Sequence, residues 1–240
     1  MCAFGLIGKN ISYSYSARWF ADQFKERHLP YTYLNYDVEN VAALETLLKT
    51  TEVLGFNVTI PYKSAIIPLL AAIDSEAASI GAVNTICKTD VGWKGYNTDI
   101  YGFRIALEKE MPQLPAAALI IGRGGAAKAA QHVLKHMGIR CFMSSRLVLS
   151  SALELPADLS DFTLWINATP VGTSGLKPNA LPLPWDKITS QHILFDMVYN
   201  PAITPFMEMG KKRGATVCNG LAMLEEQARK SFELWMSFIK

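Results

Sequence analysis

The sequence predicts an α/β protein of two domains. Two runs of alternating strand and helix patterns are separated by the breaker stretch Pro112–Gln113–Leu114–Pro115. The second run opens on a buried strand that enters a glycine-rich turn and then a helix, and the chain closes on one long amphipathic stretch.

In the first run, Ala3 to Gly8 reads as a short buried strand, and Ala17, Phe20, Ala21 and Phe24 recur at helical spacing. Tyr31 to Asp37 alternates like a strand, and Val41, Leu44, Leu47 and Leu48 mark the next helix. Leu54 to Thr59 is a strand ended by Pro61, with a helix expected from there through Ile73, kinked at Pro68. Ala82 to Lys88 and Trp93 to Tyr96 read as a hairpin turned at Thr89–Asp90–Val91–Gly92. The alternation predicts a layer with parallel pairing. Thr98 to Met111 reads as a helix. In the second run Ala117 to Ile121, Ile139 to Ser144, Leu164 to Asn167 and Ile193 to Met197 are strands, and Gly125 to Met137 is a helix. A Pro/Gly-rich loop covers Pro170 to Pro184. The last helix, Leu221 to Ile239, carries Leu221, Leu224, Ala228, Phe232, Trp235 and Ile239 on one face.

Composition excludes several classes. Of 240 residues 50% are hydrophobic and 18% charged, below the ordinary ~25%, which predicts a well-buried fold. A net charge of +2 gives no broad attraction to nucleic acid or membrane. The longest apolar stretch, around Ala65 to Ile73, falls short of the ~18 residues a membrane span requires. The start lacks a basic, then apolar leader pattern, so a cytoplasmic location is expected. Cys2, Cys87, Cys141 and Cys218 form no CxxC pair, and His132 and His136 share a helix face without an accompanying carboxylate or cysteine. No metal site is expected.

Leu119–Ile120–Ile121–Gly122–Arg123–Gly124–Gly125–Ala126–Ala127 carries the pattern GxGxxA between a strand and a helix. Gly122 permits the tight turn, Gly124 lets backbone amides approach a pyrophosphate, and Ala127 allows close helix–strand packing. The helix N-terminus then faces the negative charge. The second strand of such a unit discriminates the cofactor: an acid at its end holds ribose hydroxyls, whereas a cation pairs with a 2′-phosphate. This chain has Ser144–Ser145–Arg146 there, and the next carboxylates in sequence are Glu154 and Asp158. NADP is therefore expected, with NAD as the alternative.

Asn57–Val58–Thr59–Ile60–Pro61–Tyr62–Lys63 sets polar side chains at the carboxyl end of a buried strand, the end at which α/β folds bind ligands. Asn97–Thr98–Asp99 starts a helix. Taken singly, Asp99 reads equally as a residue favoured by the helix dipole, Lys63 as a surface lysine and Ser16 as a helix cap.

In combination these motifs resemble the shikimate dehydrogenase family along nearly the full length. The matches are Ser14–Tyr15–Ser16, the Asn57 to Lys63 run, Gly81–Ala82–Val83–Asn84–Thr85, Asn97–Thr98–Asp99 and the glycine turn. They continue through Asn167–Ala168–Thr169–Pro170–Val171–Gly172, Asp196–Met197–Val198–Tyr199–Asn200–Pro201, Asn219–Gly220–Leu221–Ala222–Met223–Leu224 and Gln227. The resemblance implies a substrate-binding α/β domain, residues 1–98 and 219–240, with a Rossmann-type NADP-binding domain, residues 99–218, inserted in it. It implies reversible reduction of 3-dehydroshikimate to shikimate in the chorismate route to aromatic amino acids, by a monomer or homodimer. Lys63 and Asp99 would be the catalytic pair. Ser14, Ser16 and Tyr199 would hold the substrate carboxylate, and Thr59, Asn84, Asp99 and Gln227 its ring hydroxyls. Gly122, Arg123, Gly124, Gly125, Ala126, Arg146, Met197 and Gly220 would lie along the cofactor.

The chemistry suits these residue types. An ammonium can donate the proton that an alkoxide requires, and a neighbouring carboxylate fixes its position. The chain departs from the family pattern at Ala17, usually proline, at Arg123, usually alanine or threonine, and at Thr173, usually methionine. Leu147 and Ser150 stand where the family's phosphate-binding segment has a hydroxyl and a second base. The length resembles the shorter members. The alternatives are a quinate or quinate/shikimate dehydrogenase and a non-catalytic ligand-sensing homologue.

Overall fold

The computed structural model describes residues 3–11, 15–111, 113, 115–144, 153–177 and 180–239. The chain forms two compact units, one of residues 1–101 and 227–240, the other of residues 102–226.

The first unit begins with β1 (Ala3–Gly8), α1 (Tyr15–Glu26), β2 (Thr32–Asp37), α2 (Val41–Thr50) and β3 (Gly55–Val58). Asn40 caps α2 by accepting a bond from the Ala43 amide at 3.0 Å, which satisfies one of the helix's free donors. Past β3 the structure corrects the expected long helix. A single turn, α3 (Tyr62–Ala65), passes into a 3-10 turn at Ile67–Leu69 and then a two-residue strand, β4 (Ala72–Ile73). Pro68 has no amide to extend a helical ladder, and Leu70 is already extended. The six-residue α4 (Ser75–Ile80) follows, bounded by an Asp74 N-cap and by Gly81 in the left-handed region at φ 67°. The hairpin is β5 (Thr85–Thr89) and β6 (Gly92–Tyr96).

The strand order is β2-β1-β3-β5-β6-β4. Pairing is parallel from β2 to β3 and between β4 and β6, but antiparallel at β3–β5 and β5–β6. The sheet is thus mixed rather than parallel throughout, because the hairpin forces reversal. One core cluster gathers Leu44, Phe56, Ile66 and Trp93. A second gathers Phe4, Phe20, Phe24 and Trp235, with the Phe4 and Trp235 rings stacked at 4.6 Å. The Trp235 indole donates to Ile86 O at 3.1 Å, so its polar edge is satisfied inside the core.

The units divide within α5 (Asp99–Glu110), after Tyr101. The second unit continues through β7 (Ala117–Ile121), α6 (Gly125–His136), β8 (Arg140–Ser144), β9 (Leu164–Asn167), β10 (Ile193–Asp196), α7 (Pro205–Lys212) and β11 (Thr216–Cys218). It closes within α8 (Leu221–Phe238), after Glu226. Among the described residues its five strands are all parallel in the order β11-β10-β9-β7-β8. The chain steps from β7 to β8 on one side and then to β9, β10 and β11 on the other. That reversal leaves a crevice at the carboxyl ends of β7 and β9, where parallel α/β sheets bind ligands. Burial raises the Cys87 and Cys218 thiols to about 12, Glu110 adding to the rise at Cys218; both are packing residues. Among the described residues no helix is long and apolar enough to cross a membrane.

Candidate active site

Lys63 lies in α3, just beyond the carboxyl end of β3, and Asp99 opens α5. The Lys63 Nζ and Asp99 Oδ2 stand 2.5 Å apart, with side chains 18% and 8% exposed. Such a pair needs further bonds to offset its lost hydration, and Asn84 supplies one. Its side-chain amide donates to Asp99 Oδ1 at 2.9 Å, to Thr98 Oγ1 at 3.0 Å and to Gln227 Oε1 at 3.3 Å. Its oxygen accepts the Thr98 amide at 2.6 Å. The Lys63 backbone is held too, its carbonyl accepting from the Val83 amide at 2.7 Å.

Beneath this group lies a layer of buried polar side chains. Asn57 donates to Thr85 Oγ1 at 3.1 Å and to Ser231 Oγ at 2.9 Å, and accepts from the Tyr33 hydroxyl at 2.9 Å. Ser231 also meets Thr98 at 3.0 Å. Connected and satisfied, such a network is rigid. Sequence reasoning gave no role to Thr85, Thr98 or Ser231. Ser231 could have been found, because it lies four residues after Gln227 and so on the same helix face.

Lys63, Asp99, Asn84 and Gln227 are thus brought into one group. Among the described residues Thr59 and Ser16 are not hydrogen-bonded into it. Thr59 follows β3, its amide donating to Ile7 O at 2.8 Å, and Ser16 is half-buried in the first turn of α1. Ser14 and Arg146 lie outside the described residues, as do Leu147 and Ser150. Tyr199 belongs to the second unit and is 36% exposed.

In the second unit the glycine turn follows β7. Gly122 adopts φ 126°, and a Cβ there would stand 2.9 Å from Ala168 O. Gly124 differs: a Cβ would meet nothing within 4 Å, so the backbone faces open space. Gly124 is also the N-cap of α6 and offers no side-chain cap, which leaves the first amides of this 12-residue helix, at Gly125 and Ala126, for a ligand. A cavity of about 540 Å³ opens beside the turn, lined by Ile121, Gly122, Arg123, Thr169, Pro170 and Leu176 among others. Residues of this kind in this place fit a dinucleotide with its pyrophosphate at the helix end. Met197 and Gly220 lie against each other, the Gly220 amide donating to Val198 O at 3.2 Å.

The ends of β9 and β10 are tied by Asp196, which is fully buried. It accepts from Asn167 Nδ2 at 2.9 Å, from the Val198 amide at 3.0 Å and from the Thr204 hydroxyl at 2.5 Å. Burial lifts its carboxyl from 3.8 to about 6, against the lowering effect of those bonds. A raised folded-state pKa means stability that is complete below about 3.8 and lost as pH rises through about 6. The shift corresponds to roughly 3 kcal/mol. Asp196→Asn, which stays neutral, is expected to be more stable than the wild type at pH 8, with the difference closing between pH 6 and pH 4. Urea unfolding at several pH values measures this, and a difference constant over that range would refute it.

A parallel α/β unit with an open glycine turn, together with a unit holding a braced Lys–Asp pair, defines a protein of the dinucleotide-dependent oxidoreductase class. The family model described as the shikimate dehydrogenase substrate binding domain matches residues 6–86. A shikimate dehydrogenase (NADP(+)) of Methanosphaera stadtmanae is 35% identical over 96% of this chain and 90% of its own length. Another, from Chlorobium chlorochromatii, is 35% identical over 97% and 90%. The crystal structure of shikimate 5-dehydrogenase from Thermus thermophilus in complex with NADP(H) and shikimate is 30% identical and superposes with a TM-score of 0.86, covering 100% of this chain and 95% of that one. The chain belongs to the shikimate dehydrogenase family.

Proposed function

We propose that this chain catalyses the reversible, NADP(H)-dependent reduction of 3-dehydroshikimate to shikimate, with Lys63 and Asp99 as its catalytic pair. The observation that carries this reading is the 2.5 Å contact between Lys63 Nζ and Asp99 Oδ2, braced by Asn84 and set at the carboxyl end of β3. The first unit takes the ring acid and the second the dinucleotide. Gly122, Arg123, Gly124, Gly125 and Ala126 would hold the dinucleotide together with Met197, Gly220 and Arg146. When bound, it supplies or accepts the hydride.

The chain's own residues manage the proton and the orientation. Lys63 holds a proton at Nζ and delivers it to the oxygen that gains charge as the carbonyl is reduced. Its remaining positive charge stabilises that oxygen before transfer is complete. Asp99 fixes the ammonium through Oδ2, while Asn84 fixes Asp99 through Oδ1. Asn84, Gln227 and Thr59 offer amide and hydroxyl groups to ring hydroxyls. Ser14, Ser16 and Tyr199 offer hydroxyls to the carboxylate. Hydroxyl donors bind a carboxylate less tightly than a buried arginine would, which favours product release. The protein would act in the cytoplasm, as a monomer or homodimer, on a small molecule rather than a nucleic acid or a membrane.

Initial rates with shikimate and with quinate, each with NADP and with NAD, test the reading. Shikimate with NADP is expected to give the highest kcat/KM. Faster turnover of quinate would make the chain a quinate dehydrogenase, and no turnover in any combination would make it a ligand-sensing homologue.

A further inference from the structure

The residues of β8 itself end without a carboxylate, but the fold brings one back. The Ser144 hydroxyl, at the last position of β8, donates to the backbone oxygen of Glu154 at 2.6 Å. Ser144 also accepts the Gly122 amide at 2.8 Å through its own carbonyl. Glu154 is therefore tied to the carboxyl end of β8 and to the glycine turn at once, although it follows Ser144 by ten positions. From there its Oε2 receives the Arg123 guanidinium at 2.9 Å. Leu153, its neighbour, lines the cavity beside the turn.

We propose that Glu154 is a specificity-determining residue for the 2′ position of the dinucleotide, favouring a hydroxyl and opposing a phosphate, with Arg123 as its counterweight. This rests on the dinucleotide reading of the second unit. A carboxylate at the end of the second strand accepts hydrogen bonds from ribose hydroxyls. The same carboxylate repels a phosphate. Arg123 can leave Glu154 and pair with the phosphate, exchanging one charge-assisted bond for another. The exchange is easy because both side chains are about half exposed, at 58% and 47%, and exposed ion pairs contribute little. The consequence is a chain that binds NADP with a narrower margin over NAD than a strand end bearing only an arginine would set.

Calorimetric titration of the full chain separates the two charges. NADP+, NAD+, 2′,5′-ADP and AMP would be titrated into wild type, Glu154→Gln, Arg123→Ala and the double variant. The two adenosine fragments report the 2′ position without any contribution from the ring-acid site. Glu154→Gln is expected to raise affinity for NADP+ and 2′,5′-ADP roughly three- to tenfold while leaving NAD+ and AMP equal or weaker. Arg123→Ala is expected to weaken NADP+ about tenfold, and by less in the Glu154→Gln background, where no carboxylate is left uncompensated. Both side chains are exposed, so melting temperatures should match the wild type. If Glu154→Gln leaves the NADP+/NAD+ ratio unmoved while both bind, Glu154 is only a surface partner of Arg123. If neither dinucleotide binds the wild type, the cofactor reading itself fails and this assignment with it.

Discussion

Lys63→Ala is expected to lower kcat by roughly 10²–10⁴ while leaving substrate binding within about tenfold of the wild type. The ammonium is required chiefly as charge develops on the reacting oxygen, and an interaction gained only then is lost from kcat rather than from KM. Ground-state affinity is spread over other groups: Asn84 and Gln227 are held by their own bonds, and the bond from Asn84 to Asp99 Oδ1, 2.9 Å long, does not pass through the lysine. Removing Lys63 also leaves a carboxylate only 8% exposed without its cation, and an orphaned buried charge destabilises. Near-UV circular dichroism should accompany the kinetics, with Lys63→Met as a variant that keeps more of the packing. Both variants should bind shikimate calorimetrically and turn it over slowly. A folded Lys63→Met protein with near-normal kcat would remove Lys63 from the proton transfer.

Elements whose pattern and punctuation agree are readable in the sequence. β1, β7 and β9 lie where continuous apolar runs put them, and the glycine turn is where its spacing puts it. The expected helix to Ile73 fails because a proline and a one-turn helix share a segment as apolar as a helix face; periodicity cannot separate these. α4 is too short to show a period, although its Asp74 and Gly81 boundaries are both visible. In the site, Lys63 and Asp99 can each be named, but not brought to 2.5 Å, since 36 positions separate them and it takes the β3–β5–β6 pairing to close that gap. Glu154 escapes a reading along the chain for a related reason. Distance in sequence sets it away from the end of β8, while the bond from Ser144 ties it there.

Gly220→Ala is expected to be among the most damaging single-methyl additions in the second unit. A Cβ at Gly220 would stand 2.2 Å from Met197 O and 2.6 Å from the carbonyl carbon. These are backbone atoms and cannot swing aside as a side-chain tip does. Met197 is fixed from both sides: its amide donates to Asn167 O at 2.9 Å, and the next amide, of Val198, donates to the buried Asp196. Gly220 is fixed in turn, donating to Val198 O and accepting from Leu224 in the first turn of α8. Relief therefore requires the exit of β10 or the start of α8 to move. Overpacking of this kind costs about 1–3 kcal/mol and more where backbone must yield, so a fall in Tm of roughly 2–12 °C is expected for a chain of this size. Weaker dinucleotide binding should accompany it, because Met197 and Gly220 are both candidate cofactor residues. Gly124→Ala separates the two effects. Its Cβ would meet open space at an ordinary φ of −74°, so it should melt like the wild type yet bind NADP+ more weakly, the methyl standing where the pyrophosphate would approach. Thermal unfolding and calorimetric titration of both variants read the contrast. A Gly220→Ala protein melting within a degree of the wild type would mean that β10 and α8 are not packed backbone to backbone at this point.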